Sequence, residues 1–153
     1  MPILGSRHLR WPDEAACAAH AADLALRPAL KNAFIELHGG LGAGKTTFVR
    51  HLLRALGATG RIKSPTFAVM EPYELPALNA WHFDFYRFDD PREWADAGFR
   101  DVFAAPGLKL AEWPEKAQRA LPIPDLRLFI EVQPDDARHV RAEACSEPGL
   151  ALL

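Results

Sequence analysis

A chain of 153 residues, 49% hydrophobic and 25% charged, can bury one core without disulfides or a structural metal, so a single domain over residues 1–153 is expected. Its formal net charge of −2 leaves no cationic excess to neutralise a phosphate backbone, and any nucleic acid is expected to be gripped mainly through another chain. The two cysteines, Cys17 and Cys145, lie far apart and the six histidines show no paired-ligand spacing, which argues against a zinc site and for a reduced, cytoplasmic setting.

The N-terminal MPILGSRHLRWPDEAACAAH lacks the continuous apolar stretch of a leader. No run approaches the roughly 18 residues that span a bilayer, so no membrane role is expected. DEAACAAHAADLAL, from Asp13 to about Leu26, predicts a first helix with Asp13 as its cap and Pro28 beyond its end. AFIELHG (Ala33 to Gly39) reads as a buried parallel strand running into a glycine turn. A helix begins near Gly44, with Phe48, Val49, Leu52, Leu53 and Leu56 at helical spacing and Gly57 as a left-handed cap.

After the loop ATGRIKSP, the segments FAVMEPY and AWHFDFY predict two strands, expected to form a hairpin. DDPREWADAG predicts a short helix with Asp90 as cap, Pro91 first, Glu93 third and Gly98 as the stop. Trp94 on that helix is read as packing. LKLAEW predicts a strand, PEKAQRAL a short helix and DLRLFIEV an alternating strand. The fold class is therefore α/β, a mixed and mostly parallel sheet flanked by helices.

Gly39, Gly44, Lys45 and Thr46 satisfy GxxxxGK[ST], the P-loop pattern, with Gly40, Leu41, Gly42 and Ala43 between them. Glycines let the backbone turn its N–H groups inward, and the positive end of the following helix adds to that nest, so anionic phosphates are the expected occupant. Lys45 is expected to reach the β- and γ-phosphates, Thr46 to ligate Mg²⁺ and Thr47 to donate toward the α-phosphate.

An acidic residue at a strand end is also required. Asp84, closing AWHFD, and Glu112, closing LKLAE, are both candidates, with ordinary alternatives in a pair to Arg87 and a cap at Pro114. Alternation sets Trp81, Phe83 and Phe85 on one face and His82, Asp84 and Tyr86 on the other. His82 is read as a strand histidine. KSPTF, with Lys63 and Thr66, is either a γ-phosphate-ordered switch or a plain turn into a strand.

Taken together, GGLGAGKTTFVRHLLRALG, IKSPTF, HFDFYRFDDPREWADAGFRDVF and LAEWPEKA resemble the bacterial TsaE family over about residues 12–138. That resemblance implies a small P-loop ATPase that works with TsaB and TsaD in making threonylcarbamoyladenosine at adenosine 37 of tRNA. It implies ATP on Gly39 to Thr47, Mg²⁺ on Thr46, Asp84 as the Walker-B-like aspartate and Glu112 as an acidic residue at the metal. It also implies Ser64 and Thr66 in a switch-like loop, Trp113 beside the nucleotide and Arg138 as a late nucleotide contact.

The expected function is a Mg²⁺-dependent ATPase, weak alone, whose hydrolysis resets a TsaB–TsaD complex between turnovers. Lys45, Asp84 and Glu112 are the expected catalytic groups, with the roles of the two carboxylates open to exchange. The rivals are a small P-loop kinase acting on a metabolite, which has no convincing Arg-rich lid here, and a nucleotide-gated interaction module. A GTPase lacks its DxxG and NKxD readers.

Overall fold

The computed structural model describes residues 2–65, 69–88, 98–117 and 120–153. A seven-stranded sheet runs in the order β1-β7-β6-β2-β5-β4-β3. Its strands are β1 (Gly5–Trp11), β2 (Phe34–His38), β3 (Met70–Glu74), β4 (Asn79–Asp84), β5 (Leu108–Glu112), β6 (Leu126–Val132) and β7 (Arg138–Ala144). The centre, β6-β2-β5-β4, is parallel, and β1, β7 and β3 pair antiparallel at the two edges. The β3–β4 hairpin is as expected. The edge strands β1 and β7 lie in segments that the sequence pattern left without elements.

Helix α1 (Glu14–Ala25) starts where Asp13 Oδ1 accepts the Ala16 N–H at 2.9 Å, and it buries Cys17, Ala21 and Leu24 at spacings of one and two turns. Helix α2 (Lys45–Ala55) buries Phe48, Val49, Leu52 and Leu53 on one face. Its end is a six-to-one turn: the Ala58 N–H donates to Leu53 O at 2.9 Å, and Gly57 holds φ +107°. These helices pack with Trp11, Ile35, Leu37, Leu110, Leu128 and Val140 into the larger core.

The opposite face, over β4 and β5, carries an aromatic core of Phe34, Phe83, Phe85, Phe88 and Phe99. Helix α3 (Phe99–Ala104) supplies Phe99 to it. Gly98 is left-handed immediately before α3, so it opens that helix, which the sequence reading did not contain. The helix expected over Asp90 to Gly98, with Trp94, lies otherwise outside the described residues. PEKAQRAL is a short 3-10 turn at Pro114–Lys116 in its described part, and helix α4 (Glu147–Leu150), capped by Ser146, is the last element. Among the described residues no helix is long and apolar enough to cross a membrane.

His20 lies half-buried against Trp11 and Phe48, ring centroids 5.7 and 5.8 Å away. Burial, and then the neighbouring Arg7, hold its pKa down from 6.5 to about 4. The unfolded chain takes up this proton near pH 6.5 and the folded chain only near 4. Stability is therefore complete above that window and is lost as pH falls through it, by up to about 3 kcal/mol. Melting temperature followed from pH 7 to 4 is expected to fall less steeply for His20→Leu than for the native chain.

Candidate functional site

The loop of residues 39–47 leaves the C-terminal end of β2 and enters α2. Gly39 takes φ +153°, and a Cβ there would stand 2.6 Å from Ile130 O, so the loop leaves the sheet through a space that only glycine fits. Gly42 and Gly44 also hold positive φ, and a Cβ on Gly40 or Gly42 would meet no atom within 4 Å. The loop therefore presents bare backbone to solvent at the N-terminus of an eleven-residue helix, an arrangement able to hold an anion.

Lys45 is 5% exposed. Its Nζ donates to Gly39 O and stands 3.5 Å from the centroid of the Trp113 ring. Burial pushes the Lys45 pKa down, while Glu112, Glu115 and Asp84 pull it back up. A partly desolvated ammonium whose direct contacts among the described residues are a carbonyl and a ring gains from an incoming anion.

Trp113 reaches that position because it adopts φ 55°, ψ 47° directly after β5. Left-handed backbone is strained for a bulky side chain, at a cost of about 1–2 kcal/mol. The turn aims the ring back over the loop, where Tyr86 packs against it at 4.9 Å.

The two candidate carboxylates end adjacent parallel strands and stand directly opposite each other in register, Asp84 beside Glu112. Their partners differ. The Thr46 hydroxyl meets both Glu112 oxygens, at 2.8 and 2.9 Å, and His82 Nε2 lies 2.6 Å from Oε2. Asp84 instead accepts from the Ser64 hydroxyl and from the Tyr86 N–H at 3.0 Å. Glu112 is thus tied to the loop, and Asp84 to the segment that precedes β3.

Arg138, at the start of β7, donates from Nε to Ala43 O at 2.8 Å and from its guanidinium to Asp136 O. It props the loop from the side. Thr47 lies 3.5 Å from the Arg50 guanidinium. Thr66 lies outside the described residues.

A cleft of about 280 Å³ joins residues 41–47 to Ser64, Asp84, Tyr86, Glu112, Trp113 and Arg138. A neighbouring cavity of about 440 Å³ shares Gly44, Thr47 and Arg138 with it and extends to Trp11, Asp13, Glu14 and Cys17. The larger cavity contains residues that sequence reasoning missed, because β1 carries only Leu9 and Trp11 as inward apolar residues and gives no strand signal. Tyr86 was placed on a strand face without a role, yet its position two residues after Asp84 was the available clue. A third cavity, about 390 Å³ at His8, His139 and Arg141, touches Gly39 and Gly40 but includes none of Lys45, Asp84 and Glu112.

The family model described as threonylcarbamoyl adenosine biosynthesis protein TsaE matches residues 11–141. The tRNA threonylcarbamoyladenosine biosynthesis protein TsaE of Haemophilus influenzae is 40% identical over 123 residues, covering 80% of this chain and 77% of its own. The protein of the same description from Bacillus subtilis is 33% identical over 138 residues, 88% of this chain and 84% of its own. The crystal structure of YdiB from Bacillus subtilis superposes with a TM-score of 0.82 at 26% identity, covering 99% of this chain and 94% of that one. The chain therefore belongs to the TsaE family of tRNA threonylcarbamoyladenosine biosynthesis proteins.

Proposed function

We propose that the chain is a P-loop, Mg²⁺-dependent ATPase of the cytoplasm, slow by itself, whose hydrolysis resets a TsaB–TsaD complex during threonylcarbamoylation of adenosine 37 of tRNA. The observation that carries the reading is the loop of residues 39–47, with its open glycines, its buried Lys45 and a Thr46 hydroxyl already on a carboxylate. The donor set fits both groups: bare N–H groups and an ammonium for phosphates, and hydroxyl and carboxylate oxygens for a hard divalent cation.

In this reading Gly39, Gly40, Leu41, Gly42, Ala43, Gly44 and Thr47 cradle the phosphates. Thr46 and Glu112 hold Mg²⁺, with Asp84 beside them. The cation supplies charge neutralisation at the phosphate oxygens. Asp84, steadied by Ser64 and by the Tyr86 N–H, orients the attacking water, and Lys45 offsets charge on the phosphoryl group being transferred. The cavity at Trp11, Asp13 and Glu14 takes the rest of the nucleotide, since it opens from Gly44 and Thr47. Thr66 belongs to the same segment as Ser64 in sequence and is assigned to the switch-like loop with it.

The near-neutral composition supports a protein partner as the direct target, with tRNA reached through the complex. ATP hydrolysis measured with and without a cognate TsaB–TsaD complex tests this. The expected outcome is a low rate that rises when the complex is added. A chain that turns over ATP fast alone, or that passes phosphate to a small metabolite, would overturn it.

A further inference from the structure

We propose that His82 is a positioning residue for the reaction: its Nε2 fixes the Glu112 carboxylate in the orientation that meets Thr46. The inference rests on the ATPase reading and names a group that reading does not use. His82 and Glu112 are 0% and 2% exposed, so neither can exchange a lost partner for water. Among the described residues the Glu112 carboxylate has two hydrogen-bond partners, Thr46 and His82.

The Thr46 hydroxyl carries a single hydrogen shared between both Glu112 oxygens, so by itself it leaves the carboxylate free to swing about its last torsion. The imidazole 2.6 Å from Oε2 supplies the second, independent restraint. It comes from a neighbouring strand whose register is set by the β4–β5 ladder, where His82 stands opposite Leu110 and Asp84 opposite Glu112. The restraint is therefore anchored in the sheet and not in the loop.

The other ring nitrogen shows what His82 is kept for. His82 Nδ1 is buried and has no hydrogen-bond partner among the described residues. A histidine that merely filled space would be better replaced by an apolar side chain, whereas this one engages the carboxylate through Nε2 while Nδ1 finds no partner among the described residues. With Glu112 ionised, Nε2 carries the donated hydrogen and Nδ1 is the bare acceptor. Outer partners of this kind orient a ligand carboxylate, and losing one costs about 10–100-fold in metal affinity or activity.

The test uses three variants of the full chain. Gln places an amide nitrogen about where Nε2 stands, Asn about where Nδ1 stands, and Leu neither. ATP binding is titrated with and without Mg²⁺, following fluorescence of the adjacent Trp113, and KM and kcat are measured in the presence of the partner complex. His82→Leu and His82→Asn are expected to bind metal-free ATP as the native chain does, to need about 10–100-fold more Mg²⁺ or lose kcat by that factor, and to keep KM for ATP.

His82→Gln is expected to recover most of the loss. Native Mg²⁺ dependence and kcat in His82→Asn, or a His82→Gln variant as impaired as His82→Asn, would overturn the inference even if His82→Leu fails to fold. A native chain that binds no ATP with or without Mg²⁺ would overturn the ATPase reading itself, and the inference with it.

Discussion

Lys45→Ala is expected to abolish partner-stimulated ATP hydrolysis, with turnover lowered by at least about 10²–10³-fold, while the folded chain survives. The ammonium is held at the loop by Gly39 O and the Trp113 ring, and the other cation lining the cleft, Arg138, is committed to Ala43 O and Asp136 O. Among the described residues lining the cleft, no other side chain can take over the phosphoryl charge. Burial penalises the Lys45 cation while Glu112, Glu115 and Asp84 favour it, so its removal trades one cost against the other and melting temperature is expected to change little. Hydrolysis and thermal melting on the same preparation check both halves. A variant that keeps native turnover would place the phosphates elsewhere.

The largest expected loss of stability is at Phe83. Its ring is fully buried and stacks on Phe85 at 5.5 Å and Phe103 at 4.8 Å, with Phe99 edge-on at 5.4 Å. Phe83→Ala opens a cavity among aromatic rings that cannot collapse without moving α3, and it is expected to cost about 3–5 kcal/mol. That is a large share of the roughly 5–15 kcal/mol that holds a domain folded. Urea unfolding is expected to show a lower midpoint at unchanged slope. The consequence reaches the site, because Phe83 lies between His82 and Asp84 on β4, facing the opposite way.

Much of this architecture was legible in the chain's local spacing. The cap at Asp13, the apolar face of α2 and its Gly57 terminus, the buried strand before the glycine loop and the alternation of β4 all depend on neighbours within a few residues. Local sterics and one-sided burial determine them directly. The family motifs were legible for the same reason: each is a short run. The edge strands were not. In β1 and β7 the outward positions carry Ser6, His8, Arg10, His139, Arg141 and Glu143, and the inward ones are few or small, so the alternation is too weak to read.

The sequence alone determined a GxxxxGK[ST] run between a strand and a helix, and two acidic strand ends, Asp84 and Glu112, as candidates to stand beside it. Only the tertiary structure decided between their partners. Strand order sets β5 beside β2, which brings Glu112 to Thr46 from 66 positions away, and leaves Asp84 one strand further out with Ser64 and Tyr86. The same order converts His82 from a strand histidine into a partner of Glu112 and carries Arg138 to the loop from 95 positions away. Such contacts depend on which strands lie side by side, a long-range outcome of packing two cores on one sheet, and no local spacing encodes it.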